Sequence, residues 1–336
     1  MPFTPTSKFW PGTRAILLVH GIGDASTGKE GAFPLDVINA MLGTDAPNVA
    51  IYSINYDFIN DWLNTKINFQ AGISALKTEL KQRLNKETAD AAGAGTTDAT
   101  TPEEMDATIA DYVGDVIWPI LSANLRLAVR DALIAQLNQM QIDRGASARK
   151  RGDDPLSYQI SIIAHSLGCF HTYEVLTAIA NEPSHALRPR SDLFTFDSVT
   201  LMASPVQLIR TVAGAIAALV PDLGNLATLA KPLAIPAETR GGSVFPCTRD
   251  FLSITGSHDP VGGHLLGRKI DWAYMALPGQ RSIIVPQQAL DIDTKNGTLQ
   301  ALAHAFAEGG PKPSDPHSWS AYVAGQSELL RGVLLA

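Results

Sequence analysis

Short apolar, β-branched runs alternate along the chain with longer stretches of helical periodicity. Residues 15–19 are an unbroken apolar run ending in His20-Gly21-Ile22-Gly23-Asp24, and residues 48–55 read as a second strand. A helix is predicted over 70–86. Residues 89–101 are rich in Ala, Gly, Thr and Asp without periodicity, which reads as a surface loop. Pro102-Glu103-Glu104 suits a helix first turn. Leu121, Leu125, Val129, Leu133, Leu137 and Met140 recur at three- and four-residue spacing, the stripe of an amphipathic helix packed on a core. Further strands are predicted at 160–164, 194–203, 251–255 and 281–286, and a closing helix at 327–335. Strands that alternate with helices predict an α/β fold, with a mostly parallel central sheet covered by helices on both faces.

Two connections exceed what a strand-helix-strand crossover needs, residues 57–155 and 206–246, and both are predicted insertions in a single domain spanning 1–336. The first reads as helical. Within the second, residues 209–236 carry only Arg210, Asp222 and Lys231 as charges, and Pro221, Gly224, Pro232 and Pro236 interrupt them. That pattern fits either an apolar helical lid over a greasy pocket, with Leu223 and Leu226 facing substrate, or a buried helix pair on the sheet.

Composition narrows the function. Of 336 residues, 45% are hydrophobic and 18% charged, enough for a large core. A net charge of −7 without a dense Lys/Arg run argues against nucleic acid as a partner. Cys169 and Cys247 make no disulfide framework and read as reduced packing residues. No basic segment followed by an apolar core opens the chain, which predicts a cytoplasmic location. No apolar run is long enough to predict a transmembrane segment. Nothing fixes an oligomeric state.

The candidate chemistry centres on Ala164-His165-Ser166-Leu167-Gly168. An apolar strand ends there and a helical segment follows at once, the pattern of a nucleophile elbow. The usual form is G-x-S-x-G; Ala164 replaces the first glycine and Gly168 retains the second. A serine hydroxyl needs a base and a group to hold that base. Residues 251–255 form a strand, and Asp259 falls in the loop beyond its end, in Gly256-Ser257-His258-Asp259-Pro260-Val261. His317, in Asp315-Pro316-His317-Ser318-Trp319, stands in a proline-containing loop before a helical segment. His304 lies in an apolar helical run and is the lesser candidate for the base. The N–H groups of Leu167 and Ile22 are the expected oxyanion donors. His165 is expected to line the rear of the pocket, and His20 to bond the backbone of the loop after the first strand. Asp57, after the second strand, fits either substrate contact or a surface turn.

Leu17-Leu18-Val19-His20-Gly21, the elbow, the Asp259 loop and His317 together resemble the α/β-hydrolase superfamily, and within it bacterial serine esterases and lipases. The resemblance spans about 14–325 and rests on these four short motifs. It implies a Ser166–His317–Asp259 triad at the carboxyl edge of a parallel sheet, with neither metal nor organic cofactor. The implied reaction is hydrolysis of a small-molecule ester with an apolar acyl group through an acyl-enzyme. Thioesters and amides are alternative substrates.

Two other classes compete. Gly23-Asp24-Ala25-Ser26-Thr27-Gly28-Lys29-Glu30 nearly spells a P-loop, and Asp197 would serve as its magnesium-directing acid. But Glu30 replaces the required hydroxyl, Asp24 puts negative charge in a phosphate cradle, and the apolar run continues past Asp197. A non-catalytic binding protein with a vestigial elbow predicts a broken triad, whereas all three positions are filled. His258, Asp259 and His264 lack the companions of a zinc site.

Overall fold

The computed structural model describes residues 3–21, 33, 35–54, 56, 123–181, 196–206, 209, 237–240, 243–246, 248–254, 281–284, 319, 322–323 and 327–335. The elements among them are β1 (Arg14–Val19), α1 (Leu35–Leu42), a 3-10 turn (Gly43–Asn48), β2 (Val49–Ile54), α2 (Ala123–Arg151), a second 3-10 turn (Pro155–Ser157), β3 (Gln159–His165), α3 (Leu167–Asn181), β4 (Phe196–Met202), β5 (Ala237–Arg240), β6 (Ser243–Pro246), β7 (Thr248–Ile254), β8 (Arg281–Ile284) and α4 (Ser327–Leu335).

Six strands form one sheet in the order β2-β1-β3-β4-β7-β8, and every neighbouring pair is parallel. Parallel sheets are buried on both faces, because crossover helices cover them. The two faces separate along β1. Ala15, Leu17 and Val19 join one core with α2 and α3, through Val129, Leu133, Leu137, Phe170 and Leu176. Ile16 and Leu18 join the other with α1 and α4, through Ile38, Leu42, Leu330 and Leu334. The chain is therefore an α/β protein with helices on both faces. Among the described residues no helix is long and apolar enough to cross a membrane.

The strands at 15–19, 48–55, 160–164, 194–203, 251–255 and 281–286 and the helix at 327–335 appear within a few residues of expectation. Three differences are informative. The helix carrying Val129, Leu133, Leu137 and Met140 runs on to Arg151, through a sequence with no apolar stripe. Besides Ala148, its buried positions there are Asp143 and Ser147, both polar and partnered. The Asp143 carboxylate accepts from Ser7 Oγ, Lys8 N–H and Tyr52 Oη, each at 2.7 Å, and Ser147 Oγ accepts from Trp10 N–H at 3.0 Å. The amino-terminal arm is thus sewn to α2 by hydrogen bonds that hydropathy does not register. α1 is the second difference, a short helix whose buried Ile38, Met41 and Leu42 carry the helical spacing. The third is the antiparallel pair β5–β6, which occupies the end of the 206–246 insertion; Gly241-Gly242 between the strands is a hairpin signal in the sequence. Ile209, at the head of the apolar stretch, is buried in the core on the α2–α3 face. Residues 70–86, 89–101, 210–236 and 102–122 lie outside the described residues.

Candidate active site

The strand order changes direction at β1: β2 lies on one side of it and β3 on the other. In open α/β sheets, crevices beyond the carboxyl ends of the strands at such a switch are where ligands bind. Gly21 follows β1 and Ser166 follows β3, so both stand at this point.

Ser166 has φ +51°, a left-handed backbone that few non-glycine residues adopt. Two main-chain bonds hold it: its N–H donates to the Met202 carbonyl at 3.0 Å, and its carbonyl accepts from Cys169 N–H at 2.9 Å. β3 ends at His165 and α3 begins at Leu167, so this one residue turns the chain from strand to helix. A left-handed residue at such a turn costs roughly 1–3 kcal/mol. Leu167 heads α3, and the N–H groups of a helix first turn lack intrahelical acceptors.

The elbow and the β1 loop touch. A Cβ on Gly21 would lie 2.5 Å from the Ser166 Cβ and 3.1 Å from its Oγ. A Cβ on Gly168 would fall on the carbonyl oxygens of His20 and of Val19, the latter at 2.6 Å. Both glycines are required by close approach. Ala164, buried and paired with Val19 and Leu201, fits where the usual pattern has glycine. The Cys169 thiol lies 3.2 Å from the Met202 carbonyl, a buried packing contact.

His20 is bound on every side. Its Nδ1 lies 2.5 Å from the Gly21 carbonyl, and its Nε2 accepts from Tyr56 N–H at 3.2 Å. Nδ1 therefore carries the proton, and the ring is neutral. Tyr56 Oη donates to the His20 carbonyl at 2.6 Å, and the two rings stack at 4.3 Å. Burial lowers the His20 pKa from 6.5 to about 4, against the raising effect of the Gly21 bond. His171 is buried one turn into α3, against Tyr56 and Phe170; burial above all, with His20 and Arg126 nearby, lowers its pKa to about 3.

A ring cluster surrounds the elbow on the α1–α4 face. His165 stacks on Trp319 at 5.4 Å and meets the Tyr322 edge at 6.0 Å. Trp319 meets Phe33 at 5.3 Å, and Phe33 meets His20 at 5.4 Å. Hydropathy and motif reading overlooked Phe33, Tyr56, His171 and Trp319. The usable signal was Trp319, Tyr322 and Val323 at helical spacing directly after His317.

Of the expected site residues, Ser166, Leu167 and His165 come together at the elbow, with His20 and Gly21 beside them. Ile22, Leu223, Leu226, Asp57, Asp259, His304 and His317 lie outside the described residues. Asp197 pairs with Arg249 at 3.0 Å near the amino end of β4, the opposite edge of the sheet from Ser166. Among the described residues no cluster of His, Cys, Asp or Glu is arranged to hold a metal ion. Comparison of the chain with family models, curated proteins and solved structures gave no match.

Proposed function

We propose that the protein is a serine hydrolase of the α/β-hydrolase type, cleaving carboxylic esters through an acyl-enzyme. The observation that carries this reading is the left-handed Ser166 at a strand-to-helix turn, pressed against Gly21 at the switch point of a parallel sheet. A strained non-glycine residue at such a place is a pointer to function. In this mechanism Ser166 attacks the ester carbonyl, His317 takes and returns the proton, and Asp259 holds the imidazolium. The N–H groups of Leu167 and Ile22 bind the oxyanion.

Three features support the assignment. Asp259 follows β7, whose last residue Ile254 is the parallel partner of Met202, the residue that holds the Ser166 N–H. Trp319, two positions after His317 in the sequence, stacks on His165. Ile22 follows Gly21, which is in contact with Ser166. The reading also assigns the 209–236 stretch, beyond the core-packed Ile209, as a lid over an apolar acyl site, with Leu223 and Leu226 as its wall. Thioesters and amides are the neighbouring substrate classes.

The test uses a fluorophosphonate probe and p-nitrophenyl esters of increasing chain length. Labelling at Ser166, with turnover lost on the order of 10⁴-fold in Ser166→Ala, is the expected result. Full turnover by a folded Ser166→Ala protein defeats the assignment. His317→Ala should match that loss and His304→Ala should not. Leu226→Asp should cut turnover of long esters more than of acetate, since each buried methylene contributes roughly 0.8 kcal/mol.

A further inference from the structure

Trp319 joins three separate stretches of chain around the elbow: its own, that of His165 and that of Phe33. It stacks face to face on His165, the residue before the nucleophile, with an interplanar angle of 16°. Its other ring contact is with Phe33, in the segment after β1, and Phe33 in turn abuts His20. It is anchored from its own side as well. Trp319, Tyr322 and Val323 are all buried in the core that α1 and α4 form with the sheet. A rigid ring held in this way has little freedom to shift, because buried interiors are close-packed.

We propose that Trp319 is a positioning residue: by stacking on His165 and wedging against Phe33, it sets the chain segment bearing His317 in register with the elbow and with the loop after β1. This rests on the serine hydrolase reading, and it adds a residue that touches neither substrate nor reacting atoms. Proton transfer needs the base within hydrogen-bond reach of the nucleophile, and a misplacement of about 1 Å costs on the order of 10²-fold in rate. A flat ring is what the contact requires. The indole N–H has no hydrogen-bond partner among the described residues, so stacking and shape are what Trp319 supplies.

The experiment compares Trp319→Phe, Trp319→Leu and Ser166→Ala with the wild-type protein on p-nitrophenyl butyrate, across pH 6 to 9, with circular dichroism to confirm folding. Trp319→Phe should keep kcat within a few-fold of wild type, because the ring stack survives. Trp319→Leu should lower kcat on the order of 10²-fold with KM little changed. Its rate should also climb with hydroxide where the wild type levels off, the mark of a base that no longer serves the serine. A folded Trp319→Leu protein with wild-type kcat and pH profile overturns the proposal, and so does an equal loss in Trp319→Phe. If Trp319→Leu does not fold, His165→Leu removes the same stack from the other side and should give the same kcat loss and pH profile; wild-type behaviour there also overturns it. Ser166→Ala separates the two levels. Its inactivity alongside an unaffected Trp319→Leu defeats the positioning role alone, whereas full activity in Ser166→Ala defeats the hydrolase reading.

Discussion

Ser166 keeps a backbone conformation that glycine would adopt more cheaply, and the surrounding main chain compensates for the strain. The bonds to Met202 and Cys169 hold it, while Gly21 and Gly168 allow the β1 loop to press against the turn. Neither position has room for a methyl: at Gly21 it would meet the Ser166 Cβ at 2.5 Å, and at Gly168 it would meet carbonyl oxygens of β1 and its loop, none of which can rotate aside. Gly168→Ala should therefore destabilise the fold by about 2 kcal/mol or more through overpacking. A urea denaturation midpoint equal to wild type would contradict this. The Ala-His-Ser-Leu-Gly string made the turn legible in advance, because close strand-helix approach restricts which residues fit. The role of Tyr56 was not legible, since it depends on a ring from another strand end arriving over His20.

Among the elements, α2 shows how a polar face can be the buried one. Its first half follows an apolar stripe, while its second half buries Asp143 and Ser147 against the amino-terminal arm. Burial raises the Asp143 pKa, but hydrogen bonds from Lys8, Tyr52, Ser7 and Gln139 outweigh it and hold the carboxyl below its ordinary value. The same arrangement raises the Tyr52 pKa, through burial first and then the bond to Asp143. Asp143→Ala takes the acceptor from four donors, on Ser7, Lys8, Gln139 and the buried Tyr52. Hydrogen bonds to a charged group contribute about 1.5–3 kcal/mol each, and the losses overlap, so a stability decrease of about 3 kcal/mol is expected by chemical denaturation. Limited proteolysis should also cut the arm faster. A change below about 0.5 kcal/mol, the size of an ordinary surface substitution, would remove the arm from the account of stability.

Across the whole molecule, two buried neutral histidines couple stability to pH. Burial is the leading cause for both, placing His20 near 4 and His171 near 3, against 6.5 for an exposed ring. As pH falls below 6.5 the unfolded chain takes up protons that the folded chain refuses until about 4 or lower. The unfolded state then binds more protons, so stability is full above about 6.5 and declines as pH drops toward 4. The urea midpoint should fall between pH 7 and pH 5, and His171→Leu should flatten that decline. An unchanged slope in the variant would show that His171 is not among the groups responsible.

The sequence by itself determined the α/β class and the position of the elbow. Short apolar runs bounded by turn signals fit strands buried on both faces, and the small residues Ala164 and Gly168 around Ser166 fit a tight turn. It also determined the closing helix, whose apolar spacing is local. Tertiary structure alone decided the strand order, and with it the switch point between β1 and β3, because parallel neighbours are chosen by packing across the sheet and not by adjacent residues. It alone decided the polar seam of α2 and the stack of Trp319 on His165. The bonds from the amino-terminal arm to α2 and the Trp319–His165 stack each span more than a hundred positions of the chain. Hydropathy reads only what a residue would bury, and carries no record of the distant partner that makes burying an aspartate or aligning two rings favourable.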